Sequence, residues 1–266
     1  MTMMQQAQLL NVATGEGVVR VTLNRPEVRN AFNFQLIEEI RSAFASIGEG
    51  AFGEVRAVVL AGAGQSFCAG ADVNWMRASL DFTHEQNVAD AMHMAAMFDQ
   101  VNRCPVPVIG RIHGAALGGG VGLAAVCDIV VAADDVVWAF SEAKLGIAPA
   151  VISPYVLAKI GRSHARALFF TAERFGTQRA HQIGLVHLAV PEEQLDSEVE
   201  RLLSEIKTSS AKAIARAKEL IATVPTVAPP EAMKLTSQAI AGLRVSEDGQ
   251  EGLRAFLEKR KPGWAS

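Results

Sequence analysis

The sequence predicts an α/β fold, because strand-like and helix-like segments alternate over its first half. Residues 17–24 (GVVRVTLN) alternate in polarity and are rich in β-branched side chains, and residues 54–62 (EVRAVVLAG) have the same character. An amphipathic stretch at 34–48 (FQLIEEIRSAFASIG) lies between them. Strands separated by helices favour parallel pairing with right-handed crossovers, so a mostly parallel sheet is expected.

The same alternation continues to about residue 140, and the chain then becomes almost entirely helical. The further predicted elements are a helix at about 84–101, a strand at 106–112, a short helix after the glycines at 118–122, two short strands within 127–140, and a brief strand near 185–190. We expect a core domain at 1–205. Residues 206–266 predict three or four helices, broken at Pro225 and at Pro229 and Pro230, that pack on the core and on neighbouring subunits.

Composition excludes several classes of protein. The 266 residues carry a formal net charge of -3, and basic residues are interleaved with acidic ones, so no nucleic-acid partner is expected. No apolar run reaches about 18 residues and the first residues lack the pattern of a signal peptide, so a cytoplasmic protein without a membrane segment is expected. Cys68, Cys104 and Cys127 are odd in number and lack metal-ligand spacing, which predicts reduced, buried thiols and no metal site.

Two segments, 58–76 and 108–126, share one layout: a strand, a run of small residues, and the start of a helix. Such a turn leaves backbone N–H groups unpaired, and two turns could direct two N–H groups at one oxygen. A phosphate cradle fits poorly, because neither segment contains G-K-[ST] or G-x-G-x-x-G. Close packing of helix on strand is the alternative explanation for the glycines.

The sequence resembles the enoyl-CoA hydratase/isomerase (crotonase) family over nearly its whole length. The matching segments, in order, are LNRPEVRNAFN (23–33), FCAGADVNWM (67–76), HGAALGGGVGLAAVCDIVVAADD (113–135), FSEAKLGIAPAVISPYVLAKIG (140–161), FTAERFGTQRAHQIGLVHLAVP (170–191) and GQEGLRAFLEKRKPGW (249–264). The resemblance implies a crotonase-like spiral of repeated ββα units with a C-terminal helical trimerisation region. It also implies a homotrimer or homohexamer that acts on acyl-CoA thioesters without a further cofactor.

Site residues follow from the same resemblance. The backbone N–H groups of Ala71 and Gly119 would bind the thioester carbonyl oxygen, and Glu142 would be the catalytic carboxylate. The backbone around Ala71 would hold the adenine end of coenzyme A, while Arg29 and Lys259 would lie near its phosphates. The residues expected to contact substrate or coenzyme A are Arg29, Ala31, Ala69, Ala71, Asp72, Val73, Asn74, Gly118, Gly119, Gly122 and Lys259.

The number of carboxylates departs from the family pattern. Family hydratases have two glutamates around the water; the second matches Glu142, but the first falls on Gly122. A single carboxylate could hydrate a double bond if it both orients the water and routes the protons, and it also suits double-bond isomerisation. Another CoA-thioester reaction and a non-catalytic scaffold are further alternatives; the scaffold predicts loss of Glu142 or a basic surface patch.

The segments LGIAPAVISPYV, TAERF and RVSEDGQEGLRAFLEKRKPGW resemble bacterial methylglutaconyl-CoA hydratases, enzymes of leucine breakdown, which favours hydration of a branched substrate. Gly122 would leave room for the branch. The distal carboxylate of that substrate would need a cation, for which Arg77, Lys144 and Arg111 are candidates. Trp75 and Met76 are expected in the core rather than the pocket.

Overall fold

The computed structural model of the chain describes residues 8–265. The strands in this part of the chain are β1 Leu10–Gly15, β2 Val18–Leu23, β3 Ala57–Gly62, β4 Val108–Ile112, β5 Ala115–Leu117, β6 Ile129–Ala133, β7 Val137–Ala139, β8 Arg174–Gly176 and β9 Leu188–Val190. The α-helices are α1 Phe34–Gly48, α2 Val73–Ala78, α3 His84–Asn102, α4 Gly119–Val126, α5 Ser153–Thr171, α6 Thr177–Gln182, α7 Leu195–Lys207, α8 Ala211–Thr223, α9 Pro229–Val245 and α10 Glu247–Leu257.

The strands form two sheets. The larger sheet has the order β1-β2-β3-β4-β6-β9, and the smaller has the order β5-β7-β8. Every neighbouring pair from β2 to β9 in the larger sheet is parallel, which confirms the predicted mostly parallel pairing. Strand β1, which the sequence analysis did not predict, adds an antiparallel edge to β2.

Successive ββα units explain how the chain builds both sheets at once. Strand β4 lies in the larger sheet, β5 follows in the smaller one, and α4 completes the unit. The chain then repeats the arrangement with β6, β7 and α5. The fold therefore has the repeated ββα units and the helical C-terminal region that the resemblance implied.

Helix α1 illustrates how local sequence fixes an element. The Asn33 side chain accepts a hydrogen bond from the Leu36 N–H and caps the helix, as asparagine commonly does. Its buried residues recur at helical spacing and form one apolar stripe: Leu36, Ile37, Ile40, Phe44 and Ile47. The helix spans 34–48, as predicted.

Contacts divide the described chain into two compact units. One contains the described residues up to Cys104 together with Val108–Val199, and the other contains Pro105–Pro107 and the described residues from Glu200 onward. In the second unit, Pro229 and Pro230 are the first residues of α9, where a missing N–H costs no hydrogen bond, so they start that helix; the previous helix, α8, has already ended at Thr223. The boundary at 205/206 and the role of these helices in trimerisation stay predictions.

All three cysteines are buried thiols that form no disulfide, as predicted. Among residues 8–265, no helix combines the length and the apolar character needed to cross a bilayer. Within the same range, no group of three or more His, Cys, Asp or Glu side chains could hold a metal ion. Residues 1–7, where the sequence was judged to lack a signal peptide, lie outside the described part of the chain.

Candidate active site

A cavity of about 360 Å³ lies in the first unit, where the two glycine-containing turns approach each other. Ala71 from the first turn lines it, together with Gly118 and Gly119 from the second. Glu142 and Ile152 also line it. The cavity therefore contains the predicted amide donors and the predicted carboxylate.

Strand-like pairing holds the two turns side by side. Cys68 and Ala116 form a parallel bridge, with the Cys68 N–H donating to the Ala115 carbonyl and the Leu117 N–H donating to the Cys68 carbonyl. This pairing brings the residues that follow Cys68 beside those that follow Ala116, and Gly70 lies against Leu117 and Gly119. A Cβ atom on Gly70 would lie 2.8 Å from the Leu117 carbonyl oxygen and 3.8 Å from the Gly119 nitrogen, so the two turns approach each other closely at Gly70.

The N–H groups of Ala71 and Gly119 donate no hydrogen bond to another residue in the described part of the chain. For Ala71 the reason is its parallel bridge to Phe32, which uses the Gly70 carbonyl and the Asp72 N–H and leaves the Ala71 N–H on the other side. For Gly119 the reason is its position as the first residue of α4, where N–H groups have no partner within the helix. Two unpaired donors on adjacent turns can bind one oxyanion.

Glu142 lies in the cavity lining because the parallel strands β5 and β7 end at the same edge of the smaller sheet. Strands β5 and β7 pair through Leu117 and Ala139, so Gly118 and the residues after Ala139 emerge at the same edge of the smaller sheet. The Gly118 N–H donates to the Ala139 carbonyl at 2.9 Å. Glu142 then begins the 3-10 helix Glu142–Leu145, which Gly146 caps.

The Glu142 carboxylate is half-buried and incompletely hydrogen-bonded. Its Oε2 atom is buried and has no hydrogen-bond partner among the described residues. Burial raises the pKa of Glu142 above its usual value, because the charged form loses hydration that a hydrogen bond from its own backbone N–H only partly replaces. A raised pKa in a cavity is typical of a carboxyl that exchanges protons.

Gly118 and Gly119 let the backbone approach these groups. Gly118 has φ +49°, in a region that favours glycine, and a Cβ atom there would stand 3.3 Å from Oε1 of Glu142. A Cβ atom on Gly119 would stand 2.7 Å from Cε2 of Phe32, closer than carbon atoms pack. The glycines therefore serve both packing and exposure of the backbone, the two explanations that the sequence left open.

Gly122 does not have the role expected of it. The cavity lining among the described residues does not include Gly122, and a Cβ atom there would stand 2.2 Å from Cγ2 of Ile152 and 3.0 Å from Cε1 of Phe98. The expectation that Gly122 leaves room for a branched acyl group is therefore wrong, because Ile152 fills that space.

Gly122→Glu is accordingly expected to destabilise the protein. Overpacking a core costs about 1–3 kcal/mol and a buried unpaired charge costs more, so the free energy of unfolding should fall by about 3 kcal/mol or more. Urea denaturation measures the change. The double variant Gly122→Glu/Ile152→Ala should recover part of the loss, and an unchanged denaturation midpoint for Gly122→Glu alone would show that the site has room.

A buried ion pair that sequence reasoning missed holds the first turn in place. The Arg25 guanidinium donates to the Ala31 carbonyl at 2.6 Å and to the Asp72 carboxylate at 2.9 Å. Asp72 also caps α2 by accepting from the Asn74 N–H. Burial alone would raise the pKa of Asp72, but the Asn74 N–H and Arg25 outweigh it, so the pKa lies below its usual value. The pair anchors the residue that follows Ala71.

Asp72→Asn is expected to lower the free energy of unfolding by about 3 kcal/mol, because it leaves the largely buried Arg25 charge without its partner while keeping a side chain that can cap α2. The matched control is Asp99→Asn, which breaks an exposed pair with Arg103 and should cost less than about 1 kcal/mol. Urea denaturation at neutral pH measures both. Equal, small losses in the two variants would contradict the anchoring role.

The remaining predicted site residues separate into two groups. Ala69 lines the cavity; Ala31 is buried, precedes the cavity-lining residue Phe32, and accepts a hydrogen bond from Arg25 on its carbonyl. The side chains at the other predicted contact positions are exposed: Arg29, Val73, Asn74 and Lys259. Lys259 belongs to the second unit.

Trp75 and Met76 line the cavity, so their expected place in the core is wrong. They follow the Asp72 cap on the short helix α2, one face of which closes the cavity.

None of the candidate cations Arg77, Lys144 and Arg111 lines the cavity, and Arg111 is paired with Asp196 at 2.6 Å.

Comparisons with known proteins show which family the chain resembles. The profile of the family described as "Enoyl-CoA hydratase/isomerase" matches residues 13–266. A Thermus thermophilus protein provisionally named as an enoyl-CoA hydratase is 31% identical over 92% of this chain and 96% of its own length. An enoyl-CoA hydratase of Alternaria alternata is 34% identical over 77% of this chain and 66% of its own length.

Solved structures extend the likeness to the fold. The crystal structure of an enoyl-CoA hydratase from Shewanella pealeana has a TM-score of 0.92 and 36% identity, covering 98% of this chain and 97% of that one. An enoyl-CoA hydratase from Mycobacterium smegmatis has a TM-score of 0.92 and 32% identity, covering 98% and 100%. With its profile match, its relatives and its repeated ββα fold, this chain belongs to the enoyl-CoA hydratase/isomerase family.

Proposed function

We propose that the protein is an enoyl-CoA hydratase, a lyase that adds water across the α,β double bond of an acyl-CoA thioester. The observation that carries the proposal is the cavity in which two unpaired backbone N–H groups, from Ala71 and Gly119, share one lining with the half-buried carboxylate of Glu142. Hydration needs both parts, because charge develops on the thioester oxygen while protons move at the neighbouring carbons.

The two amides would stabilise the thioester oxygen. When water attacks Cβ, electrons move through the double bond to the carbonyl, and the oxygen becomes an enolate oxyanion. Donors fixed by the protein need not reorganise as this charge appears, and deletion of one such donor elsewhere costs about 3–4 kcal/mol of transition-state stabilisation. Here the Phe32–Ala71 bridge and the start of α4 fix the donors.

Glu142 would act as the general base and general acid that transfers the protons. Its carboxylate takes a proton from the attacking water as the oxygen bonds to Cβ, and the resulting carboxyl group returns a proton to Cα, so the overall reaction adds one water. The raised pKa of Glu142 suits this cycle, since a base whose pKa lies closer to neutrality accepts and returns a proton more readily. No hydrogen bond from a described residue occupies the buried Oε2 atom.

Double-bond isomerisation is the second candidate, and the Gly122–Ile152 contact favours it. An apolar side chain fills the space beside Gly122, where family hydratases have a further glutamate, which leaves Glu142 as the carboxyl at this end of the cavity. A lone base can remove a proton from one carbon of a 3-enoyl thioester and return it two carbons away. A non-catalytic role has less support, because Glu142 is present.

Product analysis distinguishes these candidates. The protein is incubated separately with crotonyl-CoA and with a 3-enoyl-CoA ester, and the products are identified by mass and chromatographic retention. Hydration of crotonyl-CoA gives a product heavier by one water, and isomerisation of the 3-enoyl ester gives a product of unchanged mass. Turnover of neither ester would contradict both enzymatic candidates.

Several finer expectations remain proposals. The first is a branched acyl-CoA substrate. One such substrate, 3-methylglutaconyl-CoA, also carries a distal carboxylate, and the described cavity lining holds no cation to pair with it. The other proposals are contacts to coenzyme A from the exposed residues Arg29, Val73, Asn74 and Lys259, a homotrimer or homohexamer, a cytoplasmic location, and independence of any further cofactor or nucleic acid.

A further inference from the structure

One wall of the cavity carries a charge that the reaction does not use. Four residues of α3 line this wall: Asn87, Asp90, Ala91 and Met94. Their spacing places them on one face of the helix, and the same face continues into the core at Phe98. Asp90 is therefore an acidic side chain on a stripe where an apolar residue would pack, and its carboxylate requires an explanation.

Asp90 is held by a neighbour in the cavity wall. The Trp75 indole Nε1–H donates to Oδ1 of Asp90 at 3.2 Å, and both side chains are half-buried. No lysine, arginine or histidine is among the described residues that line the cavity, and Glu142 is its second carboxylate. The indole orients the Asp90 carboxylate without neutralising it.

We propose that Asp90 is a specificity-determining residue that excludes acyl groups bearing a carboxylate, so that the site takes acyl-CoA esters with an uncharged acyl chain. The proposal rests on the proposed function, because it assumes that the acyl chain enters this cavity. Like charges in a partly buried cavity repel more strongly than in water, and a site that presents a fixed negative charge discriminates by repulsion. A 3-methylglutaconyl-CoA-like substrate is thereby disfavoured.

Binding of unreactive esters tests the proposal separately from the chemistry. Hexanoyl-CoA and its counterpart with a terminal carboxylate share the coenzyme A part and the chain length, and neither has a double bond to hydrate. Isothermal titration calorimetry of the wild-type protein should give a Kd about tenfold or more higher for the carboxylated ester. Equal Kd values would overturn the proposal, whichever reaction the protein catalyses.

The variant Asp90→Asn tests whether the difference in Kd between the two esters comes from the Asp90 charge. Asparagine is nearly isosteric and its amide oxygen can still accept from Trp75, so the variant should keep its Kd for hexanoyl-CoA within about twofold while the difference between the two esters shrinks to about threefold or less. Asp99→Asn is the matched control, because it removes the same charge from α3 at a position outside the described lining, and should leave the difference unchanged.

The outcomes separate the two proposals. Discrimination that persists in Asp90→Asn, or that Asp99→Asn removes equally, would overturn the role of Asp90 while leaving hydration intact. Conversely, discrimination that Asp90→Asn abolishes, in a protein that turns over neither crotonyl-CoA nor a 3-enoyl ester, would support Asp90 and contradict the proposed reaction.

Discussion

Glu142→Gln is expected to lower kcat for enoyl-CoA turnover by about 10²- to 10⁴-fold, because a positioned carboxyl contributes about that much to proton transfer. The glutamine amide has nearly the same shape but cannot accept the proton of water or return it to Cα. Kd for a saturated acyl-CoA ester should change little, since the ester does not use the proton. Steady-state kinetics and calorimetry measure the two effects.

The free energy of unfolding of Glu142→Gln provides the control, because it shows whether a loss of activity comes from unfolding. Burial raises the pKa of Glu142, so the folded protein binds this proton more tightly than the unfolded chain does. The stability that the carboxyl contributes is fully present below its unfolded pKa and is lost as the pH rises through the raised folded pKa. Glu142→Gln should therefore be at least as stable as wild type at neutral pH. Any gain in its free energy of unfolding over wild type should disappear at acidic pH.

A matched substitution removes a carboxylate elsewhere. Glu173→Gln breaks an exposed pair with Arg179 outside the described cavity lining, and should leave kcat within about twofold of wild type. If Glu142→Gln also kept a near-wild-type kcat, the proton pathway proposed here would be wrong.

Local sequence sufficed to predict elements that have a strong apolar period. Helix α1 was predicted to its bounds because a cap and an unbroken apolar stripe coincide there. Strand β1 was missed because five of its six residues are exposed and show no alternation. Strands β5 and β8 are only three residues long, and tertiary pairing rather than propensity makes them strands.

The resemblance supplied Ala71, Gly119 and Glu142, but not what surrounds them. Arg25 and Asp72 are 47 residues apart, and nothing local marks an arginine that will be buried. Gly122 and Ile152 are likewise distant in sequence, so the sequence alone does not reveal that Ile152 fills the space beside the glycine. Such contacts depend on how the ββα units pack, which periodicity does not encode.

Gly119→Pro is expected to lower kcat by about 10²- to 10³-fold relative to Gly119→Ala, because only proline lacks the N–H that would bind the oxyanion. Both variants add a Cβ atom that meets the Phe32 ring, so their common packing cost cancels in the comparison. Proline suits the first position of α4, and Gly118, which precedes it, has no Cβ to clash with the proline ring.

Because the amide acts on charge that appears only in the transition state, the loss should fall on kcat while Kd for a saturated acyl-CoA ester stays similar in the two variants. If the contact with Phe32 prevents folding, the same pair can be made in a Phe32→Leu background, where leucine lacks the ring atoms that a Cβ at residue 119 would meet. Equal kcat values for the proline and alanine variants would mean that the Gly119 N–H does not bind the oxyanion, and the donor would then have to be sought elsewhere on the cavity wall.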